Sequence, residues 1–269
     1  MAMTFLEKYN ERVDKVNSLL CVGLDADFSQ IPARFQKLEH PQFTFNKWVI
    51  EQTHQHVSAY KPNSAFYEAR GENGWQDLSL TVQYLRENHP EIAIILDAKR
   101  ADIGNTNQGY VGAFFDQLGV DAVTLHPYLG QQALQPFLDR VDKGLIILCK
   151  TSNPNSGEFQ DLETTAGKKL WQIIATQVAE KWNINNNCLL VVGATYPEEI
   201  KEVRKLVGEM TLLVPGIGAQ GGEVKDTVQA GLNSDQKGLI INSARGIIFA
   251  ENPSLEAQKL RDEINLYRK

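Results

Sequence analysis

The chain has 269 residues, 42% of them hydrophobic, and its 33 acidic and 27 basic side chains leave a formal net charge of −6 and a pI of about 5.5. That length and apolar content suffice for one large core, and no Pro/Gly/Ser linker or low-complexity stretch divides it, so a single domain over 1–269 is expected. The acidic balance, with no basic block or stripe, argues against a nucleic-acid or anionic-membrane partner, and no run reaches the ~18 apolar residues of a transmembrane helix.

The first twenty residues lack the basic flank and apolar stretch of a signal peptide, which points to a cytoplasmic protein. They read instead as an amphipathic helix, with Phe5, Leu6, Tyr9, Val13 and Val16 on one broad face that would cover the bottom of the fold. Apolar strand-like runs then recur: LLCVGLD at 19–25, SAYK at 58–61, IAIILDAK at 92–99, AVTLHP at 122–127, GLIILCKTS at 144–152, CLLVVGAT at 188–195, TLLVPGIG at 211–218 and KGLIINSA at 237–244. Their near-continuous apolar character indicates strands buried on both faces, as in parallel sheets. Helical spacing appears at 45–57, 78–88, 166–182 and 198–208, which read as crossover helices.

Eight strands alternating with helices predict an α/β fold, a (β/α)8 TIM barrel with an extra N-terminal helix. A doubly wound open sheet is the competing architecture. A dinucleotide-binding version of it would place a Gly-rich turn after an early strand, whereas PGIGAQGG comes at 215–222. Cys21, Cys149 and Cys188 lie in apolar runs without C-x-x-C spacing and read as buried small hydrophobes.

Residues 96–106, LDAKRADIGNT, concentrate charge where the third strand ends. In a strand Asp97 and Lys99 share one face, roughly 7 Å apart along the chain. Asp102, beyond the strand, can reach back toward Lys99 or across to a neighbouring chain. Alone, D-x-K-x-x-D is a weak motif, equally compatible with a surface ion pair contributing about 0–1 kcal/mol.

The barrel expectation changes its weight, because barrel active sites are built at the C-terminal ends of the strands. Asp25, Lys61, Asp97, Lys99, Thr124, Ser152, Asn153, Gln220 and Arg245 all fall there and should face one space. The set contains no Ser-His-Asp arrangement and no obvious metal-ligand spacing. His126, beside Pro127, reads as structural. The loops after strands seven and eight commonly bind phosphate. The glycines of PGIGAQGG would let backbone N–H groups approach an anion, and Arg245 would grip phosphate oxygens. A phosphorylated small molecule is the expected ligand.

At this point the chain resembles the orotidine 5′-phosphate decarboxylase family, in its longer bacterial-type branch. VGLD at 22–25, AYKPN at 59–63, LDAKRADIGNT, TSNP at 151–154, VPGIGAQGG at 214–222 and SARG at 243–246 carry the resemblance, in family order. It implies metal- and cofactor-free decarboxylation of orotidine 5′-monophosphate to UMP. It further implies that Lys61, Asp97, Lys99 and Asp102 form a catalytic charged array, with Asp102 and Thr106 lent by the other subunit of a homodimer. Asp25 and Lys61 would contact ribose hydroxyls, Ser152 the pyrimidine, and Gln220 and Arg245 the phosphate, with Pro215 a further substrate contact in the strand-seven motif. Ala101 and Ala244 depart from the glycines that many relatives carry there.

Loss of CO2 from C6 of a pyrimidine leaves an in-plane carbanion with no electron sink, so Lys99 would act as a fixed ammonium that stabilises it and then protonates it. Asp97 would face the departing carboxylate and hold Lys99 charged and oriented. Phosphate binding energy would close the strand-seven loop over the array. Two other readings stay open. One is a Mg2+-dependent sugar-phosphate decarboxylase or aldolase of the same superfamily, which would place a metal-binding glutamate where Lys61 stands. The other is a noncatalytic nucleotide-binding barrel. Tyr110, Val111, Phe114 and Phe115 suit either a dimer interface or a helix packed on the barrel.

Overall fold

The computed structural model describes residues 3–217 and 223–268. Eight parallel strands close a barrel in sequence order: β1 (Leu20–Gly23), β2 (Ala59–Lys61), β3 (Ala93–Arg100), β4 (Ala122–Leu125), β5 (Gly144–Lys150), β6 (Cys188–Val192), β7 (Leu212–Pro215) and β8 (Leu239–Ser243), which pairs back with β1. Seven strands fall inside the expected apolar runs, and β3 extends one residue past its run, to Arg100. Burial on both faces is what made them continuous, since one face fills the barrel and the other packs under helices.

The N-terminal helix, Phe5–Val16, starts with a reciprocal cap between Thr4 and Glu7 and buries Phe5, Tyr9 and Val13. Tyr9 donates its hydroxyl to the Leu239 carbonyl at the start of β8 (2.7 Å), and Phe5 lies against Gly144 at the start of β5. A methyl group on Gly144 would come within 2.4 Å of the Phe5 ring, so that glycine lets the helix seal the bottom of the barrel.

The crossover helices differ from expectation mainly at their ends. The segment expected at 45–57 is Pro41–Thr53, started by Pro41 and finished by a 3₁₀ turn at His54–His56. That expected at 78–88 is the second half of Gly71–Asn88. The stretch 166–182 narrows to Leu170–Gln177 plus a π-helical turn, Val178–Trp182, and 198–208 is Pro197–Val207. Four further helices were not expected from the sequence: Gly104–Val111, Gly130–Leu138, Val224–Gly231 and Pro253–Leu266. Gly130–Leu138 holds Pro136, which reads as a breaker, and Val224–Gly231 buries Thr227 and Gly231 beside its two valines.

Val111, Phe114 and Phe115 are buried in the core, and Tyr110 stacks on Phe114, so these side chains pack their helix on the barrel. All three cysteines are free and buried. Among the described residues no helix is long and apolar enough to cross a membrane.

Candidate active site

A cavity of about 300 Å³ opens at the C-terminal ends of the strands. Asp25, Lys61, Asp97, Lys99, Thr124, Ser152, Asn153, Pro215 and Arg245 all line it, so the strand-end residues do converge. Gln220 lies outside the described residues. Asp102 and Thr106 are not among the lining residues. Asp102 caps its own turn, accepting from the Ile103 amide at 2.7 Å, and Thr106 is exposed on the helix that follows. His126 does not line the cavity either, in keeping with a structural role.

Asp97 is the centre of the charged group. One of its oxygens accepts from Lys61 Nζ (2.9 Å), and the other accepts from Lys99 Nζ (2.6 Å) and the Thr124 hydroxyl (2.8 Å). Lys61 Nζ also lies 3.9 Å from Asp25 Oδ1. Burial opposes ionisation of Asp97, but the two ammonium groups outweigh it and hold its carboxyl well below the ordinary range. Burial likewise works against a charged Lys61, and Asp97 and Asp25 reverse that, raising its pKa. For Asp25 burial wins over Lys61, and its carboxyl is pushed up.

These shifts have opposite consequences for stability. A depressed Asp97 contributes stability at neutral pH that is lost as pH falls below the ordinary carboxylate range toward its folded value. A raised Asp25 does the reverse: its contribution is present at low pH and is lost as pH rises through its folded value. Asp25→Asn should therefore raise the midpoint of urea unfolding at pH 7, and the gain should vanish on acidification. A gain that persists unchanged at acid pH would contradict this account. Lys61→Met should cost roughly 3–5 kcal/mol in the same assay, because removing one partner of a buried ionic group strands Asp97 and Asp25 together. A loss below about 1 kcal/mol, the size of an exposed pair, would refute the buried-cation description.

Strand alternation alone does not bring Lys99 to Asp97. Between Leu96 and Arg100 the register of β3 against β4 shifts, four steps on β3 matching the two from Val123 to Leu125. Lys99 itself sits at φ +47°, in the left-handed region that side chains other than glycine rarely adopt. This irregularity re-aims the lysine, and Thr124 holds it by accepting the Lys99 amide at 2.9 Å.

Asn63 and Asn242 are among the lining residues that the sequence reading did not single out. Asn63 follows Lys61 by two positions, the strand spacing that shares a face, and forms a bridge with Asp97. Asn242 is a buried amide on β8, and a polar residue inside the apolar run GLIINS was a usable signal. Glycines make room at two close approaches. A side chain at Gly193 would strike Ser152 (2.6 Å to its Cβ), and one at Gly23 would lie 2.8 Å from Ala244 Cβ. The Ala244 departure is thus accommodated by Gly23.

Residues 18–260 match the Orotidine 5′-phosphate decarboxylase / HUMPS family. The chain belongs to that family. A Cellvibrio japonicus protein named orotidine 5′-phosphate decarboxylase is 44% identical over 275 residues, covering 99% of this chain and all of that one. Among solved structures, Leishmania donovani OMP decarboxylase superposes with a TM-score of 0.89 at 39% identity, covering 99% of both chains. Leishmania donovani UMP synthase does so with a TM-score of 0.91 at 41% identity, covering 99% of this chain and 57% of that one. Family membership agrees with the eight-stranded parallel barrel and with the resemblance read from the motifs.

Within this decarboxylase family chain, Arg245 occupies the first turn of a short helix, Arg245–Ile248, immediately beyond β8. Its guanidinium has no ion-pair partner among the described residues and lines the same cavity as Lys99. The cavity therefore offers an anion the Arg245 guanidinium, close enough to the run of alternating charges to act on Asp25.

Proposed function

We propose that Lys99 is the proton donor in this chain's conversion of orotidine 5′-monophosphate to UMP and CO2, a step of pyrimidine biosynthesis. The observation that carries the reading is the run Lys99–Asp97–Lys61–Asp25, with successive gaps of 2.6, 2.9 and 3.9 Å, at the mouth of the barrel. Decarboxylation leaves a localised carbanion at C6. An ammonium already fixed beside Asp97 stabilises that charge without reorganisation and then supplies the proton. Asp97, held ionised, orients Lys99 and faces the carboxylate that leaves as neutral CO2. Asp25 and Lys61 hold the ribose hydroxyls, Ser152 faces the pyrimidine, Pro215 borders the substrate, and Arg245 grips the phosphate. No cofactor or metal enters this scheme, because two ammonium groups provide the positive field.

The deciding experiment follows the loss of orotate-type ultraviolet absorbance when the purified protein meets orotidine 5′-monophosphate in EDTA. Turnover under these conditions supports the reading. Activity that appears only on sugar phosphates with Mg2+ would instead transfer the chain to the metal-dependent relatives.

The proposal extends to a single decarboxylase domain acting as a homodimer in the cytoplasm. Asp102 and Thr106 lie off their own cavity, and Ile103, Tyr128 and Leu129 nearby expose apolar surface. A second copy would cover that surface and bring Asp102 and Thr106 to its neighbour's site. Mixing inactive Lys99→Ala and Asp102→Asn proteins should then restore activity through mixed dimers. No recovery after subunit exchange would place Asp102 in its own site.

A further inference from the structure

The left-handed conformation of Lys99 needs a cause in the surrounding structure, because such strain persists only where neighbours over-determine it. Thr124 fixes the Lys99 amide from the β4 side. On the other side lies Arg100, which ends β3 and is absent from the cavity lining. One Arg100 nitrogen donates to the carbonyl of Ala98 at 2.9 Å, immediately before the strained residue. The other pairs with the carboxylate of Glu68. Glu68 closes the short helix Ser64–Glu68, which begins right after Asn63 and is capped by it. Backbone contacts tie the same two strand ends together, with the Asp97 amide donating to the Pro62 carbonyl at 2.9 Å. The Arg100 carbonyl, in turn, accepts the His126 amide at 3.2 Å.

We infer that Arg100 and Glu68 form a positioning clasp that holds the β3 irregularity and thereby fixes the Lys99 ammonium against Asp97. Neither residue touches the substrate cavity. The planar guanidinium is suited to this because it donates in two directions from one rigid group, to a backbone carbonyl and to a carboxylate at once. Glu68 anchors it to the segment that carries Lys61 and Asn63. The clasp therefore locks the ends of β2 and β3, and with them both ammonium groups, into one geometry. The inference rests on Lys99 being the proton donor, and it assigns the residues that aim it.

The test uses the intact protein and compares Arg100→Met, Glu68→Gln and Lys99→Ala. Arg100→Met keeps the apolar stem and removes both donated hydrogen bonds. It should lower kcat by about 100-fold, the scale set by misplacing a catalytic group by about 1 Å. The dissociation constant for UMP and the melting temperature should stay close to those of the parent. Glu68→Gln, which keeps an acceptor but removes the charge, should lose less. A soluble alkylguanidinium should restore part of kcat to Arg100→Ala and none to Lys99→Ala. An unchanged kcat in Arg100→Met, or a fall that only tracks lost folding and UMP binding, overturns the clasp while leaving Lys99 as donor intact. Wild-type kcat in Lys99→Ala overturns the reading of Lys99, and the clasp with it.

Discussion

Replacing Lys99 with alanine should lower kcat for decarboxylation by about 10,000-fold or more while barely changing thermal stability. On the proposed role of Lys99, two effects would vanish together in this variant, the preorganised positive charge beside C6 and the proton that quenches the carbanion. General-acid catalysis contributes about 10²–10⁴-fold and one removed electrostatic stabiliser about 10²–10³-fold, so a loss of four decades, or about 5 kcal/mol of barrier, is the conservative sum. Stability changes little because the Lys99 side chain is half exposed and Asp97 keeps both Lys61 and Thr124. A further comparison isolates the strain. Lys99→Gly should be as inactive as Lys99→Ala yet more stable by about 1–2 kcal/mol, since only glycine accepts φ +47° without a clash at Cβ. Substantial residual kcat in either variant would remove Lys99 from the chemistry. Equal stability of the two would mean that the left-handed turn stores no strain.

Arg245→Ala should reduce kcat/KM for orotidine 5′-monophosphate by about 10²–10⁴-fold without altering any group at the reacting carbon. On the proposed role of Arg245, the variant would lose two charge-assisted hydrogen bonds to phosphate, each contributing about 1.5–3 kcal/mol. Binding energy from a remote part of the substrate acts on the reaction when it is realised in the transition state, so kcat should fall as well as KM rise. The phosphate-free nucleoside orotidine provides the control. On that substrate the parent and Arg245→Ala should be equally slow, because the guanidinium has nothing to hold. An equal penalty on nucleotide and nucleoside would show that Arg245 acts through the structure of the β8 end, where the short helix Arg245–Ile248 begins, and not through phosphate.

The sequence reading succeeded where burial alone governs the pattern. Strands such as CLLVV on β6 are enclosed on both faces, so each residue had to be apolar and the run announced itself. The polar residues that interrupt these runs at their ends, Lys61, Asp97 and Thr124 among them, stood out for the same reason. Helices proved harder to read. Gly130–Leu138 is stabilised by packing Leu134 and Phe137 into the core, which overrides the unfavourable Pro136. Asn63 and Asn242 went unnoticed although each carried a local signal, one by strand spacing from Lys61 and the other by polarity within an apolar strand.

Legible in the sequence were the succession of eight buried strands, the sealing N-terminal helix and many of the groups that meet at one mouth of the barrel. These follow from hydrophobic periodicity and from where polar residues break it, both local properties of the chain. How those groups meet depends on contacts between strands. Alternation along β3 accounted for Asp97 and Lys99 sharing a face, but their 2.6 Å contact arises from a register shift and a left-handed residue. Thr124 on β4, together with Arg100 and Glu68, makes contacts around that turn. Lysine itself disfavours such a backbone, so the conformation of Lys99 is held by contacts in space, from Thr124 on β4 and through Arg100 to Glu68.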